Sequence, residues 1–229
     1  MLNEWEWEIQ ASQEPRFFGR RKGKRLRATA QGLIETLLPR LSIVPPFDLD
    51  RLFGGRKREY WLEIGFGGGE HLAWQAEHNP DVGLIGAEVF LNGIASLLGH
   101  VEAKGLSNIR IYAEDVRQFL PHLPPASLSR LFVLFPDPWP KARHADRRFV
   151  HDANLDLIAP LMKPGAILRI ATDDETYKAW ARAVMAGRRD FQDITVDAAQ
   201  KPEDWPQTRY EAKARREGRD PIFLSFRKV

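Results

Sequence analysis

The chain of 229 residues predicts an α/β fold: a mostly parallel, seven-stranded sheet with helices on both faces, preceded by a basic N-terminal arm. Three observations carry this expectation. From residue 59 onward, apolar runs of strand length alternate with stretches of helix length, and parallel neighbours need such crossovers. The first of these strands runs straight into GFGGG and then into a helix, the order of a βα turn. Acidic residues recur where successive strands end, at the edge where open α/β sheets bind ligands.

Residues 1–50 form the expected arm, with a short helix in TAQGLIETLLPRL that Pro39 ends. Residues 51–229 form the expected α/β domain. EYWLEI is a buried strand, GFGGG turns the chain, and EHLAWQAEHN is a helix stopped by Pro80. VGLIGAEV is the second strand and LNGIASLLGHVEAKG a helix closed by a glycine. IRIYAED is the third strand, followed by a brief helix in VRQFLPHL. LSRLFVLF is the fourth, and LFPDPWPK ends it: each proline fixes its own φ, lacks an N–H and restricts the residue before it. FVHDANLDLIAPLM is a helix closed by KPG, AILRIAT the fifth strand and DETYKAWARAVM the next helix. FQDITV and PIFLSFRK are the last strands, and KPEDWPQTRYEAKARREG reads as the connection between them.

Composition narrows the function classes. An apolar content of 43% and a charged content of 28% are ordinary for a globular chain. No run approaches the roughly 18 apolar residues of a membrane-spanning helix. The acidic opening MLNEWEWEIQ lacks the apolar centre of a secretory signal, so a cytoplasmic protein is expected. With no cysteine there are no disulfides, thiolate metal sites or cysteine nucleophiles, and the six histidines lack metal-ligand spacing, so no metal is expected. The net charge of +3 is unevenly spread. RFFGRRKGKRLRA at 16–28 and KARREGR at 213–219 are basic and the centre is acidic, a pattern suited to a polyanion held by the flanks.

The glycine turn narrows the ligand. Gly65, Gly67 and Gly69 lie between strand and helix, but a dinucleotide fingerprint needs glycine at 70, where the chain has Glu70. A helix that opens on an acid opposes a phosphate at its N-terminus. Glu63 lies in the first strand, Glu88 ends the second, Asp115 follows the third and Asp137 the fourth, and a doubly wound sheet brings such positions together. Glu88, about 20 residues beyond the glycines, stands where a carboxylate takes ribose hydroxyls. This pocket repels the phosphates of NAD and suits S-adenosylmethionine, whose sulfonium and ammonium outweigh its one carboxylate. Capping of the following helix is the alternative role for such acids, Asp115 above all.

LEIGFGGG, GAEV, LFPDPWPKARH, the ATD at 171–173 and the TRYE at 208–211 resemble the bacterial tRNA (guanine-N7-)-methyltransferases, over roughly residues 60 to 229. The resemblance implies a Rossmann-like class I methyltransferase fold, S-adenosylmethionine as methyl donor and tRNA as substrate, modified at N7 of a variable-loop guanine. It implies that Glu63, Glu88, Asp115 and Asp137 contact S-adenosylmethionine beside Gly65 and Gly67, with Asp137 also the catalytic residue. Lys141, Asp173, Thr208, Arg209, Tyr210 and Glu211 are the implied substrate contacts. Asp174 stands where an aromatic is common in the family, and Arg209-Tyr210 replaces the commoner Lys-Phe.

Guanine N7 has an in-plane lone pair and no proton to lose, so methylation there rests on positioning and electrostatics. Asp137 either stabilises the positive charge that moves onto the guanine or accepts from guanine N–H groups; the sequence leaves both open. Trp139 stacks on a base or packs in the core. Lys141, Arg143, Arg147 and Arg148 meet phosphates or are solvated. Competing classes are a nicotinamide oxidoreductase, which fails on Glu70, a non-catalytic RNA-binding module, and a methyltransferase of another RNA. The basic arm is expected to be mobile, to hold RNA phosphates and not to touch the cofactor. A monomer and a homodimer are equally compatible with the sequence.

Overall fold

The computed structural model describes residue 19 and residues 21–229; Arg16, Phe17, Phe18 and Arg20 of the basic run lie outside the described residues. Seven strands are described: β1 (Glu59–Ile64), β2 (Val82–Ala87), β3 (Ile109–Tyr112), β4 (Leu128–Leu134), β5 (Met162–Thr172), β6 (Phe191–Asp193) and β7 (Ile222–Lys228). They form one sheet in the order β3-β2-β1-β4-β5-β7-β6. β1 to β5 are parallel, and β7 inserts antiparallel between β5 and β6. The order reverses between β1 and β4, and the C-terminal ends beside that reversal form the ligand crevice of a doubly wound sheet.

Helices cover both faces: α1 (Ala28–Thr36), α2 (Leu38–Leu41), α3 (Leu49–Leu52), α4 (Glu70–His78), α5 (Leu91–Lys104), α6 (Val116–Phe119), α7 (Asp152–Ile158), α8 (Glu175–Ala186) and α9 (Arg209–Arg216). Because the central strands are buried on both sides, they read as continuous apolar runs; every residue of β2 is buried. Leu62, Ile64, Leu131, Val133 and Ile170 belong to the core on one face, with Tyr177 of α8. Trp61, Phe132 and Phe223 belong to the other, with Leu72 of α4 and Leu97 of α5.

Three local features differ from the sequence expectation. Pro39 does not end the first helix: α1 stops at Thr36, and Pro39 sits in the first turn of α2, where its missing N–H has no intrahelical partner to lose. The expected boundary at residue 50 has no counterpart in the packing. Leu33 and Leu41 enter one core, Ile43 and Leu49 enter the other, and Ile43 N donates to Ile111 O at 2.9 Å. The segment read as a connection at 201–218 contains α9, started by Thr208, whose hydroxyl accepts from Glu211 N at 3.3 Å. A threonine followed three residues later by a glutamate is a helix-start signal, obscured here by the polarity of the residues after it.

Asn108 fastens the α4–β2 corner: its buried amide donates to Ala76 O, Asn79 O and Val82 O at 3.0–3.1 Å. Asn108→Ala leaves those carbonyls without this donor in a site closed to water, so it should destabilise the protein by about 1–3 kcal/mol. Denaturant unfolding checks this; an unchanged midpoint would show that other donors take over.

Candidate active site

The chain after β1 enters the left-handed region three times, at Gly65 (φ 69°), Gly67 (φ 56°) and Gly69 (φ 78°), which side chains other than glycine rarely tolerate. The turn is pressed from behind by α5: a Cβ on Gly93 would lie 2.2 Å from Gly67 O. Glu88, at the end of β2, reaches across to hold the turn. One carboxylate oxygen accepts from Gly67 N at 2.8 Å and the other from Val89 N and Phe90 N at 2.8 and 2.9 Å. Burial pushes the Glu88 carboxyl above the ordinary carboxylate range against the pull of these three amides, and the nearby charge of Asp137 adds to the rise.

A cavity of about 580 Å³ opens at these strand ends, lined by Gly65, Gly67, Glu88, Asp115, Asp137 and Tyr210 among others. Asp115 fulfils the capping alternative while lining the cavity. It caps α6 by accepting from Arg117 N at 3.0 Å, and the Arg117 guanidinium closes on it at 2.5 Å. Asp137 is exposed, and its carboxylate accepts no hydrogen bond among the described residues. The loop that carries it is held under strain. Phe135 (φ 50°) and Trp139 (φ 42°) both take left-handed backbone, a conformation that large residues keep only where the surroundings impose it.

Arg148 is one source of that imposition. It is 4% exposed and donates to Pro138 O at 3.1 Å and Trp139 O at 3.0 Å, while its guanidinium lies 4.6 Å from the centre of the Trp180 ring. Neither a phosphate contact nor a solvated charge describes it; nothing in the basic run around it distinguishes Arg148 from its neighbours. Trp139 is partly exposed and outside both cores, with the Arg147 guanidinium 5.1 Å from its ring.

The TRYE residues divide by role. Thr208 and Glu211 are buried and build the start of α9, where Glu211 also pairs with Arg215 at 3.2 Å and Lys201 at 3.4 Å. Arg209 and Tyr210 project over the glycine turn. Arg209 pairs with Glu70 at 3.2 Å, and a Cβ on Gly67 would lie 2.8 Å from the Tyr210 ring. Tyr210 also stacks 6.4 Å from Phe135, so it spans the glycine turn and the proline loop. Asp173, past the end of β5, pairs with Arg219 at 2.7 Å. Asp174 caps α8 by accepting from Tyr177 N at 2.9 Å. Lys141 is exposed, immediately before a short 3₁₀ segment (Ala142–Arg147). Glu63 does not line the cavity; its carboxylate accepts from His71 Nδ1 at 2.7 Å.

The arm also departs from expectation. Gly19 lines the cavity, Arg21 pairs with Glu114 at 2.7 Å, and Gly23 and Lys24 exchange hydrogen bonds with the Asn92 side chain at 2.8 Å. The described part of the basic run is therefore docked beside the crevice.

Residues 57–224 match the family model described as "Putative methyltransferase". A tRNA (guanine-N(7)-)-methyltransferase from Paramagnetospirillum magneticum is 55% identical over 226 residues, covering 95% of this chain and 94% of its own. Another from Rhodospirillum rubrum is 48% identical over 227 residues, covering 95% and 89%. The chain belongs to the tRNA (guanine-N7-)-methyltransferase family.

Among solved structures, its fold is similar to a 16S rRNA (adenine(1408)-N(1))-methyltransferase from Catenulisporales acidiphilia, at TM-score 0.54 and 16% identity over 82% of this chain and 94% of that one. It is also similar to the 16S rRNA methyltransferase KamB, at TM-score 0.51 and 17% identity over 90% and 97%. The architecture is the Rossmann-like class I methyltransferase fold, with S-adenosylmethionine as the family's methyl donor. The cavity fits that donor. Its volume lies within the usual range for small-molecule sites, its strand ends carry carboxylates, and Glu70 opens the helix where a phosphate would otherwise sit. Among the described residues there is no cluster of three metal-ligating side chains and no helix long and apolar enough to cross a membrane.

Arg148→Met removes the donor to two carbonyls of the strained loop. The variant should still melt cooperatively while methyl transfer falls on the order of 10²-fold, the cost of a misplaced reacting geometry. Full turnover in the folded variant would show that the loop keeps its shape without the guanidinium.

Proposed function

We propose that this chain transfers the methyl group of S-adenosylmethionine to N7 of a guanine in tRNA, a guanine of the variable loop. The observation that carries this reading is the strained proline loop, which presents the exposed Asp137 at the cavity that Glu88 also lines. When bound, S-adenosylmethionine supplies an electrophilic methyl carbon on its sulfonium. Glu88 accepts from the ribose hydroxyls with the lone pair its three amides leave over. The left-handed turn at Gly65 and Gly67 lets the backbone approach the cofactor, and Asp115, fixed by Arg117, completes the acidic wall.

Asp137 faces the side where the base enters. Guanine N7 attacks with its own lone pair, so the carboxylate is not needed as a base; it either orients the guanine or stabilises the charge developing on it. Tyr210 screens the glycine turn from water. Arg209, Lys141 and the basic end of α9 (Lys213, Arg215, Arg216) meet RNA phosphates. Asp173 orients Arg219 toward the same strand, while Thr208 and Glu211 act by shaping α9. Trp139 stacks on an RNA base. Such an enzyme works in the cytoplasm, where its tRNA is found.

Incubation with labelled S-adenosylmethionine and bulk tRNA, followed by nucleoside analysis, tests the reading. The expected product is N7-methylguanosine, and label in another nucleoside or none at all would overturn it. Asp137→Asn keeps the size of the side chain and removes its charge, so a folded variant should lose on the order of 10²-fold in rate. Near-normal turnover would leave LFPDPWPK a purely structural loop.

Cofactor affinity should also depend on pH with a definite sign. The ionised Glu88 accepts ribose hydroxyls as hydrogen bonds, and burial raises its pKa. Affinity should therefore weaken as pH falls from neutral to mildly acidic, at a higher pH than an ordinary glutamate would produce. Glu88→Gln should bind more weakly at neutral pH and lose this dependence. Calorimetric titration of both proteins checks it, and identical pH profiles would remove Glu88 from the cofactor site.

A further inference from the structure

Val150 lies in the irregular stretch between the 3₁₀ segment at Ala142–Arg147 and α7, and it is 1% exposed. Its N–H and C=O are shut off from water and belong to no helix or strand, so side chains must satisfy them. Both partners come from α8. Val150 N donates to Tyr177 Oη at 3.1 Å, and Trp180 Nε1 donates to Val150 O at 2.6 Å. Residues three apart on a helix share a face, so one turn of α8 reaches both polar groups of the same residue. Asp174 fixes that turn by accepting from Tyr177 N at 2.9 Å.

Trp180 makes a second contact with the same stretch. Its ring lies 4.6 Å from the Arg148 guanidinium, and Arg148 donates onward to Pro138 O and Trp139 O. Arg148 is buried with no carboxylate at ion-pair distance among the described residues, so the ring face and the two carbonyls are what favour its charge there. Trp180 itself is partly exposed and belongs to neither core, so core packing does not account for it. One side chain thus holds Val150 by its carbonyl and Arg148 by its charge. Through Arg148 it reaches the backbone that directly follows Asp137. We propose that Trp180 is a positioning residue for methyl transfer, holding the loop that carries Asp137 by way of Arg148 and Val150. The assignment rests on the reading of Asp137 as the group that acts on the base. Its physical content, that Trp180 keeps the proline loop in place, does not.

Two substitutions at Trp180 test this. Trp180→Leu removes both the N–H and the ring face, whereas Trp180→Phe keeps a ring beside Arg148 and removes only the N–H. With both substrates saturating, kcat should fall about tenfold in Trp180→Leu and about fivefold in Trp180→Phe, the effect of a reacting group moved out of place. Affinity for S-adenosylmethionine should stay within about threefold of the parent, because Glu88 and the glycine turn are untouched. In an Arg148→Met background, Trp180→Leu should cost less than about threefold more, since the loop has already lost its hold. Trypsin supplies a readout independent of activity. Cleavage after Lys141 and Arg143 should quicken about tenfold in Trp180→Leu, with cleavage after Lys104, at the end of α5, unchanged.

Parent-like kcat in folded Trp180→Leu would overturn the proposal, and so would losses from Trp180→Leu and Arg148→Met that simply multiply. Unchanged cleavage after Lys141 and Arg143 would overturn it as well. If Trp180→Leu did not fold, the same measurements on Trp180→Phe would decide, with about fivefold expected in rate and cleavage. If the parent protein failed to methylate tRNA, the functional reading would fall while the trypsin measurement still decided whether Trp180 holds the loop.

Discussion

The crevice depends on one carboxylate held among backbone amides. Glu88 ends β2, yet its acceptors serve Gly67 in the turn after β1 as well as Val89 and Phe90 in its own loop. Two neighbouring strand ends are thereby tied at a fixed spacing, and the glycine turn cannot relax away from α5. The tie has a cost. A carboxylate taken out of water is disfavoured in its charged form, and Asp137 adds like charge across the cavity. An apolar residue there would escape that cost but leave the amides of Gly67, Val89 and Phe90 without their acceptor; a ligand with hydroxyls to donate and positive charge to share would offset the cost.

The acids at the four strand ends look equivalent in the sequence and differ in their partners. Glu63 is joined to a histidine on the far face, Glu88 to amides, and Asp115 to a helix end and an arginine. Asp137 alone of the four is exposed with no partner for its carboxylate among the described residues. A charge meant to act on an incoming base must keep its lone pairs available, and the rigidity its own side chain lacks is supplied through the backbone by Phe135, Trp139 and Arg148.

Much of this was legible in the sequence because parallel strands and crossover helices write strong periodic signals. The runs at EYWLEI, VGLIGA and LSRLFVL needed only burial on both faces to be read. What stayed hidden has physical reasons. A strand period of two residues does not say which face of β1 Glu63 takes relative to a ligand, so its pairing with His71 was invisible. Arg148 sits in a run of cations whose composition signals solvent, and only the fold shows that one of them is buried against Trp180. α9 was missed because its residues are almost all polar, which reads as a loop unless the Thr208–Glu211 spacing is given weight.

The basic run shows the same limit from the other side. Composition described it as a mobile segment that holds RNA phosphates, yet two kinds of contact dock its described part on the domain. The Arg21–Glu114 pair is half exposed and contributes little by itself. The exchange between Asn92 and the backbone of Gly23 and Lys24 is different in kind: it uses both ends of one amide and so sets the direction of the chain as well as its place. A Cβ on Gly23 would lie 2.8 Å from the side-chain ends of Asn92 and Phe90, so both would have to shift to admit a larger residue at that point. At Gly23 the strongly basic chain thus comes into close contact with Asn92 and Phe90, beside the rim of an acidic crevice.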